Sequence, residues 1–176
     1  KLTVIGIDKL AEDIYLFHHN LSRDFLGISI STGQIQSYDD FINSYNSNRM
    51  AAPIDTKFLF REKEFKDIGD AYVKADVVIL NGPAGTGKTR LALHYVKNRP
   101  DINNEKVYCI HSNALPIYED LKLFIDNPGN YFLFIDDANQ LSGLQHIIRY
   151  AGMKSEGYNV KILITVRDYA LQKVIK

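Results

Sequence analysis

The chain has 176 residues, 45% of them hydrophobic, and its 21 basic residues balance its 21 acidic ones. That length suits one ordinary domain, or a domain with an appendage, and the neutral total argues against broad nucleic-acid binding by this segment. The lone Cys109 excludes an internal disulfide and a multi-cysteine zinc site. No apolar run nears the ~18 residues of a membrane span and no signal peptide is visible, so a reducing, cytoplasmic setting is expected.

Residues 1–56 read as a leading segment and residues 57–176 as an alternating strand–helix core. In the first part, 2–7 reads as a strand and 8–21 as a helix, with Leu10, Ile14, Phe17 and Leu21 at helical spacing. Ser37 is placed to cap a second helix whose first turn carries Asp39 and Asp40. Asn46–Asn48 and Ala51–Pro53 read as a linker. The core reads as helix 62–74, strand 76–81, a helix from about Gly87 to Lys97, strand 106–111, helix 115–126, strand 131–136, helix 139–153 and strand 160–166. Such alternation is the signature of a mostly parallel α/β sheet. The chain starts at Lys1 and stops at Lys176 without a tail, and it is expected to be a piece of something longer.

Between the first core strand and its helix runs Gly82-Pro83-Ala84-Gly85-Thr86-Gly87-Lys88-Thr89. This is a complete G-x-x-x-x-G-K-[ST] loop. Its glycines let backbone N–H groups turn inward around phosphate oxygens. Lys88 brings a charge to the β/γ-phosphates and Thr89 a hydroxyl to Mg²⁺. The following helix adds its positive end. The bland alternative is a Gly-rich strand–helix turn with no ligand, and the apolar run Val77–Leu80 before the loop and the helix after it weigh against that.

About 50 residues on, Tyr131-Phe132-Leu133-Phe134-Ile135 ends in Asp136-Asp137. A buried strand delivers ligands at its carboxyl end, where the phosphate loop also opens. Asp136 is expected to hold Mg²⁺, and Asp137 to orient or deprotonate an attacking water. Alone, the pair would read as two solvated acids or a helix cap. A third signal is Ile162-Leu163-Ile164-Thr165-Val166-Arg167, a strand that would bring Thr165 or Arg167 to a γ-phosphate. The alternative for Arg167 is a surface pair with Asp168 or Asp137. A fourth, weaker signal is Phe58 to Phe65.

Together these four elements resemble the STAND class of signal-transduction P-loop ATPases, relatives of the AAA+ proteins. The wording of Phe134–Leu141 and Ile162–Tyr169 is most similar to novel STAND domains of bacterial antiviral defence proteins. The resemblance covers residues 57–176 and implies a P-loop NTPase three-layer sandwich, AAA+/STAND-like, with a small N-terminal segment. Phe60-Arg61-Glu62 stands where the class has Gly-Arg-Glu, which implies a contact of Arg61 with adenine; Phe60 replaces the glycine. Arg90, which follows the loop, is placed with the nucleotide. Ile164–Arg167 looks like the sensor strand, with Arg167 as its arginine. Asp137 stands where many ATPases have Glu, and its shorter reach implies slow hydrolysis.

The resemblance further implies a switch in which ATP and Mg²⁺ control oligomerisation and activation of an effector, often a nuclease. The lid and the C-terminal sensor that binds a foreign protein would lie outside this chain, and residues 1–56 would be the tail of the effector or a connector. Nucleic acid would be met only through that effector. Two other readings stand beside this one: an AAA+-like motor or loader ATPase acting on nucleic acid, and a non-hydrolysing nucleotide-binding scaffold.

The remaining reactive residues read more plainly. Asp55 with Glu64-Phe65-Lys66 mimics a nuclease D…E-x-K, but that chemistry needs the E-x-K on a strand, and Glu64 falls in a helical stretch. No pair among His18, His19, His94, His111 and His146 has convincing metal spacing. Cys109 and the many aromatics read as core.

Overall fold

The computed structural model describes residues 31–47, 61–100 and 104–175, together with Gly6, Ile7, Leu10 and Phe58. Its elements in chain order are β1 (Ile35–Ser37), α1 (Tyr38–Ser47), α2 (Glu62–Tyr72), β2 (Val77–Gly82), α3 (Lys88–Asn98), β3 (Lys106–Ile110), α4 (Tyr118–Phe124), β4 (Gly129–Ile135), α5 (Leu144–Ala151), β5 (Tyr158–Arg167) and α6 (Leu171–Val174). The five strands form one sheet in the order β1-β3-β4-β5-β2. β2, β5, β4 and β3 run parallel, and β1 joins β3 antiparallel. The expected mostly parallel α/β sheet is therefore present.

The sheet is parallel because its strands are apolar on both faces and helices cover both. In β4, Tyr131, Leu133 and Ile135 enter one core with residues flanking and lining α4 and α5, among them Ile117, Leu121 and Ile147. Phe132 and Phe134 point the other way, against Phe41 of α1, Ile68 of α2 and Leu91, Tyr95 and Val96 of α3. The result is three layers, with the sheet in the middle. Cys109 is buried in the second core, and burial pushes its thiol far above the usual range, so it is an inert filler.

Several expected elements differ in the structure. The strand at 2–7 and the helix at 8–21 lie outside the described residues apart from Gly6, Ile7 and Leu10, as does most of the expected linker. The second helix does start at Ser37, whose Oγ accepts from the Asp40 N–H at 3.1 Å. The helix expected over 139–153 is a 3₁₀ turn at Ala138–Gln140 followed by α5. Gly143, at φ 84°, interrupts them, because a left-handed residue cannot continue a helix. The helix expected over 115–126 starts only at Tyr118, since Pro116 pushes Leu115 away from helical backbone.

Strand β1 was not anticipated. It places residues 35–47, assigned by sequence to the leading segment, in the same sheet and core as the rest: Ile35 is 2% and Phe41 3% exposed. The Phe41 ring meets Phe134 edge-on at 5.8 Å.

Candidate functional site

The phosphate-type loop leaves the carboxyl end of β2. Gly82, Gly85 and Gly87 have φ of 156°, 76° and 76°, a region that residues with a Cβ rarely occupy. A Cβ at Gly85 or Gly87 would meet nothing within 4 Å, so backbone conformation selects glycine there and crowding does not. Gly87 is also the N-cap of α3 and offers no side chain to the first-turn N–H groups, leaving them to an anion. Thr86 Oγ1 donates to Pro83 O at 2.9 Å and braces the loop. Lys88 Nζ lies across the loop, donating to Gly82 O at 2.9 Å and Pro83 O at 2.8 Å.

The acidic pair stands at the end of β4. Asp136 is 7% exposed, and its Oδ1 accepts from the hydroxyls of Thr89 and Thr165, each at 2.8 Å. Burial pushes its carboxyl above the usual range; the two hydroxyls oppose that, the charge of Asp137 adds to it and His111 works against it. Asp137 is one of two non-glycine residues at positive φ (45°) among the described residues. Its backbone N–H donates to Thr165 Oγ1 at 2.9 Å.

Arg167 lies opposite Gly82 in the β2–β5 register, yet its Nη2 donates to Asp137 Oδ2 at 2.9 Å. Asp137 is one of the two acidic partners the sequence offered it. That pair raises the affinity of the guanidinium for its proton still further. Gln140 Nε2 makes a longer contact of 3.4 Å to the same Asp137 oxygen.

Arg61 meets the loop from behind: its Nη2 donates to Thr86 O at 2.6 Å. Phe58 stacks on His94 of α3 with centroids 4.0 Å apart. Phe60 lies outside the described residues. Arg61, Phe58 and Arg90 line a small pocket of about 180 Å³ with Gly85, Thr86 and Gly87. A larger groove of about 470 Å³ runs between α2 and β2, its apolar wall including Ile68, Val78 and Leu80, and reaches the loop at Pro83 and Lys88.

Asp55 lies outside the described residues, and Glu64 is on α2, where it cannot supply the strand geometry of a nuclease centre. His111, at the end of β3, is exposed, and its backbone N–H donates to Gln34 O.

The structure thus brings Lys88, Thr89, Asp136, Asp137 and Arg167 to the carboxyl ends of adjacent strands, with Gly82–Gly87 between them. Sequence reading missed the contribution of the leading segment: burial, and to a smaller degree the charges of Asp136 and Asp137, raise the phenol pKa of Tyr45 on α1. It also missed what the Thr165 hydroxyl does. The available signal was a hydroxyl within the apolar run Ile162–Val166.

The donor set fits a magnesium nucleotide. Thr89 and Asp136 offer hard oxygens 2.8 Å apart, and no group of three or more His, Cys, Asp or Glu residues able to hold a metal occurs among the described residues. A cation here would take its other ligands from phosphate and water, as Mg²⁺ does. No helix among the described residues is long and apolar enough to cross a membrane.

No protein-family model matches the chain, and no curated protein matches it. Among solved structures, it is similar to the closed state of Hsp104 with ATPyS and FITC casein, at 14% identity and a TM-score of 0.48 over 81% of this chain. It is similar to a point mutant of Thermotoga maritima RuvB, at 20% identity and 0.38 over 62% of this chain, and to katanin, from a study of its self-assembly, at 13% and 0.35 over 79%. The matches span 27%, 39% and 57% of those chains.

Proposed function

We propose that this chain is a nucleotide-binding NTPase domain, and more finely an ATP-binding, slowly hydrolysing switch of the STAND type. In that reading Gly82–Thr89 with Arg90 cradle the phosphates, Lys88 faces the β/γ-phosphates, and Arg61 reaches the nucleoside side. Thr89 and Asp136 hold Mg²⁺, whose charge polarises the terminal phosphate. Asp137 orients the attacking water, and Arg167 meets the developing negative charge. The observation that carries the reading is the contact of Thr89 with Asp136, which joins the loop helix to the acidic strand end.

The finer role follows from the sequence resemblance: nucleotide state would govern self-association and an effector outside this chain, with a foreign protein as trigger bound by a C-terminal sensor. We predict that Lys88→Ala abolishes nucleotide binding while the fold survives. Calorimetry with Mg-ATP checks this, and unchanged affinity would reject the assignment. For the parent, ATP at about 100 times its Kd should add roughly 2.7 kcal/mol of thermal stability.

The Asp137–Arg167 pair favours one second reading, a non-hydrolysing scaffold, since it occupies both side chains that turnover would need. Phosphate release by the parent protein separates the two.

A further inference from the structure

Thr165 is 0% exposed and lies on β5, the strand between the loop strand β2 and the acidic strand β4. A hydroxyl has one proton to donate and lone pairs to accept with, and here both capacities go to neighbouring acids. Its proton goes to Asp136 Oδ1 and it accepts the Asp137 N–H. The backbone ladder between β4 and β5 ends at Ile135 opposite Ile164, so the Asp137 amide has left the sheet. The Thr165 hydroxyl stands in for the missing backbone acceptor. Without it that amide would lose its one partner; the Gln140 N–H on Asp137 O at 2.8 Å and the Arg167 guanidinium on Oδ2 hold other atoms of the residue.

The second half of the geometry concerns Asp136. Thr89 and Thr165 converge on the same Oδ1, and among the described residues no hydrogen bond is made to Oδ2. One carboxylate oxygen is thereby anchored, and the other is left without a protein donor among the described residues. On its far side Thr165 is in register with Leu80 of β2, two residues before the loop.

On the basis of the nucleotide reading above, we propose that Thr165 does not contact a γ-phosphate and is instead the positioning residue of the acidic pair. One hydroxyl sets both the direction of Asp136 toward the cation and the turn that presents Asp137 to the water. The sequence offered Thr165 or Arg167 for the γ-phosphate, and this proposal gives Thr165 a different task.

The test compares the parent chain with Thr165→Val, which keeps the shape and loses the hydroxyl, and Thr165→Ser, which keeps the hydroxyl and loses a methyl. Mg-ATP hydrolysis is measured as a function of both ATP and Mg²⁺. Partners that orient metal ligands affect metal affinity or activity by roughly 10–100-fold. We expect Thr165→Val to lower kcat and raise the half-saturating Mg²⁺ within that range, with KM for ATP within about twofold because the loop contacts are intact. Thr165→Ser should restore most of both.

A Thr165→Val chain that turns over with parental kcat and Mg²⁺ dependence overturns the positioning role, and so does a Ser variant as impaired as the Val variant. Mg²⁺-dependent binding of a non-hydrolysable ATP analogue supplies the same comparison should Val prove too slow to assay. If the parent itself fails to bind Mg-ATP through Lys88, the nucleotide reading falls and this inference falls with it. Parental binding combined with an unaffected Val variant removes only Thr165.

Discussion

A carboxylate as buried as Asp136 stays ionised only while donors surround it, and two hydroxyls do that here. Asp137, one residue on, is more open and is held by a charge instead, the Arg167 guanidinium at 2.9 Å. Under the proposed function the two acids would therefore have separable roles. Asp137→Asn should leave Mg-ATP affinity close to parental and lower turnover roughly 100-fold or more, the range of lost general-base catalysis; equal phosphate release from mutant and parent would remove Asp137 from the chemistry. At this scale the sequence made much of the site readable. The glycine spacing announces backbone conformations that only glycine adopts, and an apolar run ending in two acids announces a strand that delivers them. Which acid Arg167 pairs with was not readable, because the choice between Asp137 and Asp168 depends on a turn at Asp137 that no residue type in the pattern betrays.

Helix α3 carries Lys88 and Thr89 at one end and is pinned at the other. Arg99 donates to Val96 O and to Glu105, its guanidinium lies 3.8 Å from the Phe132 ring centre, and the Arg99 and Glu105 side chains are only 4% and 5% exposed. Arg99→Ala strands the Glu105 carboxylate, with Lys161 remaining 3.9 Å away. Breaking such a buried pair costs about 3–5 kcal/mol, and we predict a loss near the lower figure because Lys161 remains. The check is a lower urea midpoint at unchanged slope, and parental stability would show the pair to be dispensable. Element existence was legible from apolar runs, and lengths were less so. Gly143 breaks an expected helix through its backbone, and β1 escaped notice because three residues, Ile35-Gln36-Ser37, carry no period to read.

For the whole molecule, the informative result is that residues 35–47 complete the sheet. A chain beginning at residue 57 would lose the Phe41 side chain from the core, a truncation of a size that costs about 3–5 kcal/mol, and would leave β3 as a bare edge. We predict that residues 57–176 alone melt at lower temperature than residues 31–176 and associate at high concentration. Melting curves and light scattering check this, and equal behaviour would make β1 and α1 an independent appendage. The strand order has a further consequence for how the protein is made. Val77 faces Ile162 and Gly82 faces Arg167, so β2, though synthesised early, finds its neighbour only near the end of the described chain. β1, β3 and β4 can pair with one another well before that. During translation, which releases the N-terminal parts first, the loop of Gly82–Thr89 remains without its companion acids until β5 arrives to bridge them. If the proposed function holds, nucleotide capture would then wait for a finished sheet.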